Sequence, residues 1–144
     1  MSGEQVEWSW GPVFADRDRV RFRLWAPAAK RVSLVIAGAS HAMEPAGEGW
    51  FEVTVSGVAA NAAYCFRLAD GEEVPDPASH DQPQGLDGPS VLVDHTAYRW
   101  QTADWRGRPW EESVLSEIHV GTFTEEGTYA AATRHLAHLA NTGI

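Results

Sequence analysis

Period-two alternation dominates the first two thirds of the chain. Val20, Phe22 and Leu24 fall on one face of an extended segment, while Arg21, Arg23 and Trp25 fall on the other. Val32, Leu34 and Ile36 repeat the pattern after a turn over Pro27–Arg31. Phe51, Val53 and Val55 predict a third strand, and Tyr64, Phe66 and Leu68 a fourth, with Gly, Asn or Asp punctuation between them. Ala69-Asp70-Gly71-Glu72 predicts a hairpin turn, after which Glu73-Val74-Pro75 starts a return strand that prolines terminate. Asp76 to Pro89 is a proline-bearing surface loop, and Ser90–Val93 a last strand. Short strands separated by turns imply a mainly β protein, an antiparallel β-sandwich.

The periodicity then changes. Val114-Leu115-Ser116-Glu117-Ile118-His119-Val120 carries β-branched and apolar residues, which predicts a buried strand over Leu115–Phe123. Thr128 caps a predicted helix over Tyr129–Ala140, in which Ala132, Leu136 and Leu139 recur at helical spacing, and Gly143 stands where a left-handed C-terminal cap belongs. A strand, loop and helix in this order normally feed a second, parallel strand. The expectation is therefore a fragment whose continuation lies past Ile144. Its unpaired strand edge is expected to add to the sandwich, to exchange with a second copy in a homodimer, or to lack order. Three parts follow: a sandwich over 1–95, a linker over 96–113 and the strand-helix piece over 114–144. Trp100, Trp105 and Trp110 in the linker are expected to bury the joint.

Leu115-Ser116-Glu117-Ile118-His119-Val120-Gly121-Thr122-Phe123-Thr124, with Glu126-Gly127-Thr128 and Leu139-Ala140-Asn141-Thr142-Gly143-Ile144, resembles the opening strand and helix of the catalytic barrel in the α-amylase superfamily, glycoside hydrolase family 13. Upstream, Arg21-Phe22-Arg23-Leu24-Trp25-Ala26-Pro27 through Leu34 is similar to the immunoglobulin-like module, akin to carbohydrate-binding family 48, that precedes this barrel. Val74-Pro75-Asp76-Pro77-Ala78-Ser79, Gln82-Pro83, Gly85 and Gly88-Pro89-Ser90 resemble the trehalohydrolase branch. The resemblance implies an immunoglobulin-like sandwich joined to the first strand and helix of a (β/α)8 barrel. It also implies a noncatalytic N-terminal accessory module of an enzyme that hydrolyses the α-1,4 bond next to the terminal trehalose of maltooligosyltrehalose. The alternatives are an independent α-glucan-binding module, the N-terminal part of a branching or debranching enzyme, and a scaffold that contacts no sugar.

Composition narrows the partners. At 144 residues, 44% hydrophobic and 22% charged, the chain suits one domain and an appendage, and falls short of a sandwich plus a complete barrel of about 250 residues. A formal net charge of −9 argues against nucleic acid and anionic membranes, which would repel it, and is compatible with a neutral glucan or maltooligosaccharide. Cys65 is the single cysteine and reads as a small packed residue, which excludes an internal disulfide and a cysteine-cluster metal site. The start of the sequence shows no secretory signal, so the expected location is cytoplasmic.

The sequence offers no catalytic residue and calls for no cofactor and no metal. Glycoside hydrolysis needs two carboxyl groups across the scissile bond, and the resemblance places those acids, with the remainder of the barrel, on later strands. Glu117 and His119 belong to the barrel-strand motif, with structural roles expected. His135 and His138 lie three apart on the predicted helix, without a third ligand to complete a metal site. The substrate-binding candidates are Trp50, at a strand start after Gly49, and Trp8 and Trp10, because sugar rings stack on exposed aromatic faces. Trp25 reads as core or strand-end packing.

Overall fold

The computed structural model describes residues 10–16, 18–102 and 104–143. The chain divides into two compact units, Met1–Arg99 and Trp100–Ile144.

Unit one is a two-sheet antiparallel sandwich. Strands β1 (Val13–Phe14), β2 (Arg19–Trp25), β5 (Glu44–Pro45) and β6 (Trp50–Ser56) form sheet A in the order β1-β2-β6-β5. Strands β3 (Ser33–Ile36), β4 (Ala39–Ala42), β7 (Ala63–Arg67) and β8 (Glu73–Val74) form sheet B in the order β4-β3-β7-β8, and β9 (Ser90–Val91) also pairs with β7. The alternating residues pair as the periodicity requires: Val20 faces Val55, Phe22 faces Val53 and Leu24 faces Phe51 across β2 and β6. Sheet B supplies Leu34, Ile36, Tyr64 and Phe66, all fully or almost fully buried. Phe22 of one sheet meets Tyr64 of the other edge to face, with ring centroids 5.1 Å apart. Burial of aliphatic and aromatic side chains from both sheets in one apolar cluster holds them together.

The hairpin expected at 69–72 is present. Gly71 has φ +93°, the Leu68 amide donates to the Glu72 carbonyl at 2.9 Å, and β7 pairs with β8 through Phe66–Val74 and Arg67–Glu73. The proline-bearing loop that follows is tied to the core by polar contacts. Tyr64 donates its hydroxyl proton to Asp76 Oδ2 at 2.8 Å, the Ala78 amide donates to Asp76 Oδ1 at 2.8 Å, and the Asp76 amide donates to Ser90 Oγ at 2.9 Å. Asp76 and Ser90 are the buried polar residues among those described. Each therefore needs these partners, because an unpaired buried polar group is costly.

Unit two differs from the expected strand and helix. Val114–His119 has no ladder partner among the described residues, and Val120–Phe123 closes into the short helix α1 instead of continuing a strand. A β-branched run supplies only the propensity for a strand; the strand itself is made by hydrogen bonds to a neighbour. Glu117 is accordingly exposed in irregular chain, and His119 caps α1, its carbonyl accepting from the Thr122 and Phe123 amides. The expected single helix is two, α2 (Tyr129–Arg134) and α3 (Leu136–Asn141), separated at His135. The Thr128 cap holds, with its Oγ1 accepting from the Ala131 amide at 3.2 Å, and Gly143 has the left-handed φ of +88°. Trp100, Trp105 and Trp110 are 73%, 68% and 74% exposed. No helix among the described residues is long and apolar enough to cross a membrane.

The Asp76 tie carries a pH signature. Burial, ahead of all other influences, raises the Asp76 carboxyl above the ordinary aspartate value, against the opposing pull of the Ala78 and Tyr64 hydrogen bonds. The folded chain therefore holds this proton more tightly than the unfolded chain. The stability that this contributes is complete below the unfolded pKa and is lost as pH rises through the folded one. In urea unfolding of Asp76→Asn beside the parent, the parent should lose ground to the variant on going from about pH 3 to about pH 7.

Candidate functional site

The alternation that sends Phe22 and Leu24 inward sends Arg21, Arg23 and Trp25 outward. On the same outer face of sheet A, β6 presents Trp50, Glu52 and Thr54, and the register makes the pairs Trp25–Trp50, Arg23–Glu52 and Arg21–Thr54. Glu44 of β5 stands opposite Glu52 on its other side. This strand geometry assembles two tryptophans and a short polar row at one end of the sheet.

Each group there is held by more than its strand. Arg23 lays its guanidinium over the Trp50 ring, with Cζ 4.4 Å from the centroid, and its Nε lies 3.3 Å from Glu52 Oε2. Trp10 packs edge-on against Trp50 at 4.7 Å between centroids. Trp50 is consequently half-buried, whereas Trp10 and Trp25 are 51% and 50% exposed. The Trp25 indole Nε1–H donates to the Glu48 carbonyl at 3.1 Å.

That carbonyl is aimed by a turn built from three residues of positive φ: Gly47 at +83°, Glu48 at +50° and Gly49 at +85°. Glycine is needed at 49 for two reasons. L residues with a side chain are strained at that φ, and a Cβ there would stand 2.7 Å from Pro27 Cβ and 3.2 Å from Trp25 Nε1. The Gly49 carbonyl also accepts from the Ala26 amide at 2.9 Å, which closes the turn onto the chain following Trp25.

The geometry brings together two of the three tryptophans singled out in the sequence, Trp10 and Trp50; Trp8 lies outside the described residues. It adds two that were not. Trp25, expected to pack, stands half-exposed beside Trp50, and Arg23 lies over the Trp50 ring. Both were signalled by the alternation, which puts them opposite Phe22 and Leu24. The missing information was the strand pairing that sets Trp25 against Trp50. Glu117 and His119 belong to unit two. Chemically, the face offers aromatic surface bordered by a guanidinium and carboxylates, a combination suited to a neutral ligand with apolar faces and a hydroxyl rim.

Other reactive groups are quiet. Cys65 is part-buried, with its Sγ 3.5 Å from Glu73 Oε2; burial, reinforced by the Glu73 carboxylate, pushes the thiol up to about 11, so it is protonated and poorly nucleophilic at neutral pH. Among the described residues, no group of three or more His, Cys, Asp or Glu could hold a metal ion.

An antiparallel two-sheet sandwich of this kind is an immunoglobulin-like module. The model of carbohydrate-binding module 48, the isoamylase N-terminal domain, matches residues 9–81, just over half of the sequence, and the chain belongs to this family. The chain is 42% identical over 132 residues to the malto-oligosyltrehalose trehalohydrolase of Rhizobium sp. (strain M-11), covering 86% of this chain and 22% of the relative. It is 40% identical over 124 residues to the malto-oligosyltrehalose trehalohydrolase of Deinococcus radiodurans, covering 86% of this chain and 20% of the relative. A crystal structure of a Salmonella typhimurium protein provisionally assigned as an alpha amylase superposes with a TM-score of 0.83 at 46% identity, over 92% of this chain and 23% of that one. The chain thus spans about a fifth of the length of the trehalohydrolases it matches.

Gly49→Ala should destabilise unit one by more than about 1 kcal/mol, since it adds backbone strain to a collision with Pro27. Urea denaturation of the variant measures this, and an unchanged midpoint would show that the turn is not under the steric constraint described.

Proposed function

We propose that this chain is the noncatalytic accessory module, with the start of a barrel attached, of a trehalohydrolase-like glycoside hydrolase, and that its sheet A face contacts α-glucan. The observation that carries the first half is the alignment with malto-oligosyltrehalose trehalohydrolases across 86% of this chain but only about a fifth of theirs. On this reading residues 1–95 are the module, 96–113 the linker and 114–144 the opening of the barrel. The whole enzyme would hydrolyse the α-1,4 bond next to the terminal trehalose of maltooligosyltrehalose, with the catalytic acids on the remainder of the barrel. Val114–His119 would gain its ladder there, between neighbouring barrel strands.

Hydrolysis requires a carboxyl pair facing a substrate cleft. The acid here with raised proton affinity, Asp76, has its two oxygens engaged by Tyr64 and Ala78 inside the sandwich, which supports a structural role. Membrane surfaces and nucleic acid fit poorly with a net charge of −9. The second half of the proposal, glucan contact, is supported by the half-exposed Trp10 and Trp25 and the half-buried Trp50 beside Arg23 and Glu52.

Two assays on the purified chain test both halves. Incubation with maltooligosyltrehalose should release no trehalose, and release would overturn the noncatalytic reading. Calorimetric titration with maltoheptaose should give saturable heat with a dissociation constant of the order of 1 mM or tighter. Absence of heat at that concentration would leave a scaffold without sugar contact.

A further inference from the structure

The three tryptophans of the sheet A cluster are not equivalent. Trp50 is crowded, with the Arg23 guanidinium 4.4 Å and the Trp10 ring 4.7 Å from its ring centroid. Trp25 is fixed from a different direction: its only side-chain donor is spent on the Glu48 carbonyl at 3.1 Å, its backbone is paired with Trp50, and the next amide, Ala26, is bound to Gly49. Even so, it is 50% exposed. An indole whose N–H is satisfied within the protein has its aromatic face left to offer to a ligand. A ring already held in place loses little rotamer freedom when something stacks on it.

We infer that Trp25 is the stacking surface for a pyranose ring of the glucan, that Trp50 is the buttress that sets its position, and that Arg23 and Glu52 lie within the rim that meets the sugar hydroxyls. The assignment rests on the glucan-contact reading above. The occupant follows from the chemistry of the face. A glucose unit has apolar C–H faces and a rim of neutral hydroxyls, matching an aromatic surface next to a guanidinium and a carboxylate. A polyanion would be disfavoured by the −9 charge, and a purely apolar segment would take the charged Arg23–Glu52 pair and Glu44 out of water while offering no hydrogen bonds in return.

The test is an NMR titration of the 144-residue chain with maltoheptaose, following the indole Nε1–H signals, on the parent and on Trp25→Ala, Trp25→Phe and Trp50→Phe. The Trp25 indole signal should shift most in the parent. Trp25→Ala should weaken binding by about tenfold or more, and Trp25→Phe by less, because it keeps an aromatic face while losing the bond to Glu48. Trp50→Phe should weaken binding by less than Trp25→Ala, because a phenyl ring keeps part of the buttress without being the stacking face. If the parent binds and its largest shifts lie elsewhere, or if Trp25→Ala binds like the parent while Trp50→Phe does not, the assignment is overturned and glucan contact stands. If the parent shows no saturable shift, glucan contact itself fails and the assignment falls with it. Should Trp25→Ala fail to fold, the parent shift map and Trp25→Phe still decide.

Discussion

Tyr64 lies between the two sheets of unit one and is 2% exposed, so its hydroxyl is shielded from bulk solvent. Its ring meets Phe22 of sheet A and Phe66 of its own strand edge to face, at 5.1 and 6.1 Å. The hydroxyl must find an acceptor in the interior, and Asp76 supplies it at 2.8 Å. Burial, and then the nearby Asp76 charge, raise the phenol well above its ordinary range, so that it remains a donor at any ordinary pH. The carboxylate brings its own requirements, met by the Ala78 amide, while its backbone amide is met by Ser90 at the start of β9. One buried aromatic residue thereby joins the inter-sheet contact to the proline-bearing loop that follows β8. Such a network is stable only when every member is satisfied.

The candidate site depends on the same packing from its other side. Because Phe22 and Leu24 must face the core, Arg23 and Trp25 must face outward, and the antiparallel register with β6 then decides which residues stand beside them. A slip of one residue would remove the Trp25–Trp50 pair and turn the core residues to solvent together. The turn at 47–49 adds a second restraint, since its left-handed backbone aims the Glu48 carbonyl at the Trp25 indole and lets Pro27 approach closely at Gly49. The exposed aromatic cluster is therefore rigid for reasons that lie mainly in the core and backbone.

Unit two shows the same physics in a segment that forms no ladder among the described residues. Leu115, Val114 and Tyr129 are exposed, at 79%, 60% and 80%, and the segment before α1 forms no ladder among the described residues. Helices close their hydrogen bonds within themselves, so α2 and α3 form locally, with the Thr128 cap and an ion pair between Arg134 and Glu126. Strands cannot do this.

By itself the sequence determined the strands β2, β3, β6, β7, β8 and β9 of unit one, though not the short β1, β4 and β5, together with the inward set Val20, Phe22, Leu24, Leu34, Ile36, Tyr64 and Phe66, the hairpin at Gly71 and the helix cap at Thr128. Each is set by side-chain period or by a turn residue acting within a few positions. It also carried the family resemblance, because those local patterns stand in a fixed order. Only the tertiary structure decided that Trp25 is paired with Trp50, that Arg23 covers the Trp50 ring, that Asp76 is the acceptor for Tyr64 and that Val114–His119 forms no ladder among the described residues. These depend on which strands become neighbours and in what register. Hydrogen bonding between residues distant in the chain settles that choice, and no short stretch of sequence contains it.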